Sequence, residues 1–168
     1  TWSGHNYQKA EDHRAEETDP AIAITSSGSF IVAWRDEDWA GNNPRIRARR
    51  YDASGNALSV FDVEPTHGAA GNQWEPAVAM LDDGRFVITW MSHNQDGSSW
   101  GIFAQRYNTD GTAAGDEFQV NSHTTNEQSQ PSVAMAADGR FVITWQSHNQ
   151  DGSSWGIYAQ RYNADGTT

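Results

Sequence analysis

Residues 83–112 read DGRFVITWMSHNQDGSSWGIFAQRYNTDGT, and residues 138–167 read DGRFVITWQSHNQDGSSWGIYAQRYNADGT. Extended back to Pro76 and Pro131, the two stretches differ at only six of 37 positions: Ala77/Ser132, Leu81/Ala136, Asp82/Ala137, Met91/Gln146, Phe103/Tyr158 and Thr109/Ala164. A more divergent copy lies upstream, where Pro20, Gly28, Trp34, Ile46, Tyr51 and Gly55 stand 56 residues before Pro76, Gly84, Trp90, Ile102, Tyr107 and Gly111. Self-similarity at a fixed period of this length is the mark of a repeat architecture. The chain therefore reads as one repeat domain over 1–168 with three units, approximately 10–65, 66–121 and 122–168.

Within a unit, alternating apolar and polar residues bounded by turn residues predict strands. In the third unit these are Ser132–Ala136, Arg140–Ser147 and Gly156–Asn163, separated by Ala137-Asp138-Gly139 and by the polar loop from His148 to Ser154. The turn after the second unit's third strand leads into Glu117–Asn121, a short fourth strand. Each unit is then a four-stranded antiparallel meander of 55–56 residues. One such sheet cannot bury both its faces, so the units must stack face to face. Radial stacking of four-stranded meanders gives an all-β fold of β-propeller blades. Trp34, Trp90 and Trp145 are expected between blades. Eight Trp, six Phe, five Tyr and fifteen Gly suit strands and tight turns.

Tyr7-Gln8-Lys9 aligns with Phe118-Gln119-Val120, so residues 5–10 read as a fourth strand with no unit before it, while the third unit reaches Thr168 just after the turn that introduces its own. Three blades do not close a ring, since propellers take about 4–8. The expectation is that copies of the chain complete the ring, each N-terminal strand finishing a neighbour's third blade: a homodimer of six blades or a homotrimer of nine. The alternative is three units cut from a longer chain.

A net charge of −11 repels phosphate backbones and anionic lipid, which argues against nucleic-acid and membrane-surface partners. The absence of Cys excludes disulfides and thiolate metal sites. No apolar run approaches the roughly 18 residues of a spanning helix, so no membrane insertion is expected.

The order aromatic strand, QDGS loop, GIYAQRY strand and Asp-Gly turn resembles a propeller-like repeat found in tandem within very large secreted, adhesin-like bacterial proteins, often beside calcium-binding and cadherin-like modules. The resemblance implies a β-propeller fold and an extracellular, secreted or cell-surface bacterial setting, and no particular ligand. Asp151-Gly152-Ser153-Ser154-Trp155 also looks like a shortened Asp-box, a structural turn of sialidase-type propellers.

Two candidate sites sit in the repeated loop. Asn94, Asp96 and Ser98, repeated as Asn149, Asp151 and Ser153, alternate oxygen-bearing side chains as calcium loops do. Only one of each three is charged, so a turn whose side chains accept backbone N–H groups is the simpler reading. His93 with Trp100, and His148 with Trp155, combine an aromatic face with hydrogen-bonding groups that could hold a glycan. Packing at the start of a strand is the plainer role for each Trp. The first unit departs from the pattern, with Ala40 where Asp96 stands and Pro44 where Trp100 stands, although Glu37, Asp38 and Trp39 could form a different site.

Glu11, Asp12, Glu16, Glu17 and Asp19 form an acidic run that reads as a solvated loop. Arg45, Arg47 and Arg49 share one strand face, and Arg50 lies on the other. Those three could grip a carboxylate but more simply pair with the acidic excess. For Arg106 and Arg161 a bond between blades is expected. Nucleophilic triads, metal-binding His pairs and phosphate-cradling glycine loops are absent. The sequence therefore predicts a non-enzymatic binding or scaffolding module, with a lectin or a sialidase-like glycan hydrolase as the alternatives.

Overall fold

The computed structural model describes residues 16–37, 44–63 and 72–168. These form β1 (Glu16–Ile24), β2 (Phe30–Glu37), β3 (Arg45–Tyr51), β4 (Ala57–Val63), β5 (Gln73–Met80), β6 (Phe86–His93), β7 (Trp100–Tyr107), β8 (Phe118–Gln119), β9 (Gln128–Met135), β10 (Phe141–His148) and β11 (Trp155–Tyr162). Three antiparallel meanders result, in the orders β1-β2-β3-β4, β5-β6-β7-β8 and β9-β10-β11. The third has three strands among the described residues, and the expected completing strand at 5–10 lies outside them. The fourth strand expected over Glu117–Asn121 is shorter as a ladder, pairing Phe118 and Gln119 with Ala104 and Phe103. The Val120 N–H continues it by donating to the Ile102 carbonyl, and the Asn121 side chain accepts the Ile102 N–H at 2.7 Å.

The first strand of the third sheet, predicted over Ser132–Ala136, starts earlier, at Gln128, and the first strand of every sheet carries a bulge. Asp19, Glu75 and Gln130 stand at φ +53°, each directly before a proline (Pro20, Pro76 and Pro131), and the ladder register shifts at these points. Proline has no N–H to give a ladder, so the strand bulges there and resumes pairing beyond it.

The hairpin turns are held by aspartates. The Asp110 carboxylate accepts the Thr112 N–H at 2.9 Å and its hydroxyl at 2.6 Å, and Asp165 does the same for Thr167 at 2.9 and 2.7 Å. The Thr112 hydroxyl, then its N–H, lowers the Asp110 pKa below the usual 3.8; the Thr167 N–H, then its hydroxyl, lowers that of Asp165. A carboxyl whose pKa is depressed on folding stabilises the fold above its unfolded pKa and loses that contribution as pH falls through the folded value. The urea midpoint is therefore expected to hold between pH 7 and about 5 and to fall below about 4. Asp110→Asn with Asp165→Asn should flatten that fall in denaturation curves at pH 3, 5 and 7.

The core lies between sheets. On β6, Phe86, Ile88 and Trp90 face the first sheet and pack with Ile31, Ala33, Ile46 and Ala48. The opposite face, with Val87 and Met91 of β6 and Ile102 and Ala104 of β7, packs on Phe141, Ile143, Trp145 and Tyr162 of the third sheet. Seven consecutive residues of β6 are accordingly buried, whereas β10 alternates buried and half-buried along its length. Among the described residues, the middle sheet is covered on both faces and the third on one. Trp90 and Trp145 lie between sheets as expected. Trp34 is different: it pairs with Arg47 on the face of the first sheet that points away from the second, and it is half-buried. A stacked aromatic pair recurs across the second and third strands of every sheet: Phe30 on Tyr51 (4.5 Å), Phe86 on Tyr107 (4.8 Å) and Phe141 on Tyr162 (4.8 Å).

Candidate functional site

The repeated polar loop is a closed turn. The Asn94 N–H donates to the Ser99 carbonyl at 2.7 Å, with Asn94 at φ +60° and Gly97 at φ +83°. Asp96 accepts the Ser98 N–H at 3.0 Å on one carboxylate oxygen and the Gln119 amide at 2.9 Å on the other. In the third sheet Asn149 (φ +57°) and Gly152 (φ +84°) repeat the turn, and Asp151 accepts both the N–H and the hydroxyl of Ser153 at 3.0 and 2.7 Å. Those bonds, the hydroxyl first, lower the Asp151 pKa. Of the oxygens considered as calcium ligands, both of Asp96, one of Asp151 and the Ser153 hydroxyl are engaged in hydrogen bonds of the loop or with Gln119. Among the described residues no three His, Asp or Glu side chains converge on one point.

The two His/Trp pairs have closely similar local geometry and different surroundings. His93 and Trp100 face each other across β6 and β7 with ring centroids 4.8 Å apart, and His148 and Trp155 do so at 4.9 Å. Trp100 is further covered by Trp74 at 4.9 Å, and the Arg35 guanidinium lies 4.8 Å over the Trp74 ring. Arg35 is itself bonded to Glu37 and lies 3.6 Å from Asp19. In the third sheet Ser129 stands where Trp74 does, and Trp155 is 45% exposed. Trp100 is a packing residue, while Trp155 offers a bare indole face. The first unit's Asp38 and Trp39, and the acidic Glu11 and Asp12, lie outside the described residues.

Arginines link successive sheets. Arg50 donates to the Thr109 carbonyl of the second sheet's last hairpin turn, and Arg106, at the equivalent place one unit on, donates to the Ala164 carbonyl at 3.1 Å. Gly166 stands at φ +87°, a backbone conformation that favours glycine, and a Cβ there would lie 2.7 Å from Arg106 Nε, so the arginine is seated directly on the turn. Arg45 and Arg47, on the opposite face, reach the buried Asp36 at 3.9 and 3.2 Å, the pairing with acidic residues read from the sequence.

Arg161 is the third of this series. It lines a cavity of about 650 Å³ on the third sheet together with Ala134, Arg140 and Val142. Its guanidinium has no acceptor among the described residues. On the same face Ile157 is 75% exposed, whereas the equivalent Ile102 is fully buried. The face of the first sheet that points away from the second carries Ile22, 66% exposed, where the second sheet has Val78 at 9%. Sequence reading missed these two faces, because the residues that form them are buried wherever a neighbouring sheet exists.

No family model matches the chain, and no curated protein matches it. Solved structures do. A protein of unknown function from Dyadobacter fermentans superposes with a TM-score of 0.61 at 17% identity, over 90% of this chain and 39% of that one. The endo-arabinase of Bacteroides thetaiotaomicron gives 0.57 at 16% identity, over 90% and 58%, and a Hadza microbial sialidase 0.57 at 15%, over 88% and 38%. The three sheets are β-propeller blades. At these identities the likeness is one of fold, and the chain spans 38–58% of those proteins' lengths.

Proposed function

We propose that this chain is a non-enzymatic, extracellular bacterial module for binding or scaffolding, and that it acts as a set of blades associating with copies of itself into a ring of six or nine. The observation that carries the reading is the asymmetry of burial: the middle blade is covered on both faces, while each outer blade leaves apolar residues open on one. Large exposed apolar patches on a soluble surface mark interaction sites. Exact repetition of the loop between the second and third blades also fits repeated assembly better than a single reaction centre, which would break the symmetry. Light scattering on the 168-residue chain, with calcium and with chelator, tests this. Two or three chain masses are expected, falling to one when residues 1–10 are removed. One chain mass under every condition would refute the reading.

A glycan-binding role is favoured by one feature, the bare Trp155 indole beside His148. Several structural neighbours are named as glycan-active, among them the arabinase and the sialidase. If Trp155 carries such a site, binding on a glycan array should drop at least tenfold in Trp155→Ala and persist in Trp100→Ala. Equal losses in both variants would place binding elsewhere.

A further inference from the structure

We infer that the Arg161 cavity of one copy receives the Ala53–Gly55 turn of a second copy's first blade, so that chains join head to tail through the contact already made twice within the chain. The inference rests on the self-association proposed above and names the surfaces that perform it. In each internal contact a third-strand arginine of one blade crosses to a carbonyl in the last hairpin turn of the next: Arg50 to Thr109, and Arg106 to Ala164. The acceptor stands two residues before a glycine of positive φ, Gly111 at +90° and Gly166 at +87°. The first blade has the same turn, with Ala53 as the carbonyl and Gly55 at φ +83°. Within each blade this turn leans on the first hairpin in the same way: a Cβ at Gly28, Gly84 or Gly139 would meet Ala53, Thr109 or Ala164. The first blade thus presents the pair of turns that the second and third blades present to their predecessors, and nothing preceding it among the described residues uses them. Arg161 is the donor left over.

The apolar surfaces agree. Ile157 is the counterpart of Ile102, which is buried by the third blade, and Ile22 is the counterpart of Val78, which is buried against the first. Seating a first blade on the third would cover both residues together, with Arg161 bonded to the Ala53 carbonyl at the end of the contact. The interface is heterologous, using different surfaces on the two partners, and it closes into a ring if the rotation between chains permits.

The test uses two full-length variants, Ile157→Lys on the head surface and Ile22→Lys on the tail. Both residues are already exposed in the single chain, so circular dichroism, and the urea midpoint at a dilution where the parent is itself dissociated, should match the parent. Each variant alone should be monomeric in sedimentation velocity, its dissociation constant raised on the order of 100-fold, as for loss of a central interface residue. An equimolar mixture should regain association, because one intact head still meets one intact tail. Arg161→Ala should weaken association by about tenfold, the scale of one charge-assisted bond. A parent chain that stays monomeric would overturn both this inference and the self-association reading, and would point to blades of a longer polypeptide as the occupants. A parent that associates while both lysine variants associate equally well would leave self-association standing and overturn the head-to-tail contact. Monomeric variants that do not recombine on mixing would also overturn it.

Discussion

Trp90→Ala is expected to unfold the chain or bring it close to unfolding, at a cost of about 3–5 kcal/mol. The indole is fully buried between the first and second blades, among Ile31, Ile46, Ile88 and Phe103. A domain of this size has only about 5–15 kcal/mol of stability to lose. The control is Trp155→Ala. Trp155 touches His148 and is nearly half exposed, so its loss should cost about 1 kcal/mol or less. Urea denaturation followed by tryptophan fluorescence distinguishes the two. Equal costs would mean that the blades do not stack as described.

The second large effect comes from Ile102→Lys. Ile102 is fully buried in the contact between the second and third blades, with Met91, Ala104 and Val120 on its own sheet and Phe141 and Ile143 opposite. Among the residues of that cluster there is no carboxylate to pair with an ammonium. An unpaired buried charge is among the few single changes that cost on the order of 4 kcal/mol or more. The same change at Ile157, the equivalent place on the third blade, should move stability by no more than about 0.5 kcal/mol, because the residue already faces solvent in the single chain. Limited proteolysis reads the difference: Ile102→Lys should be digested at protease levels that leave Ile157→Lys intact. Two substitutions identical in chemistry and in repeat position then diverge only because one has a neighbouring blade.

That divergence explains what could and could not be read from the sequence. The period, the strand positions and the Asp-Gly turns were available because each rests on local chemistry: alternation on a pleated strand, and glycine at positive φ after an aspartate. The stacking of Trp90 and Trp145 followed from the repeat. Trp34 is half-buried in the single chain for the same reason: a repeat pattern treats every unit as internal, and among the described residues no sheet covers the face of the first sheet on which Trp34 lies. The bulges at Asp19, Glu75 and Gln130 had a signal that went unused, a proline at the same place in every first strand. The near-identity of the two loops implied equal roles for Trp100 and Trp155. Their difference depends on Trp74 against Ser129, two residues ahead of the matching stretch, and on the open face beyond the third blade. The arginine series was half visible: Arg106 and Arg161 were expected to bond between blades, but the membership of Arg50 needed the structure.

Calcium and glycan roles for the loop lead to separate experiments, but the central claim concerns the outer faces. Small-angle X-ray scattering over a dilution series tests it most directly, because it reports shape as well as mass. At high concentration the account predicts a closed disc of two or three chains, giving way on dilution to a three-blade wedge. A wedge of a single chain at every concentration would contradict it.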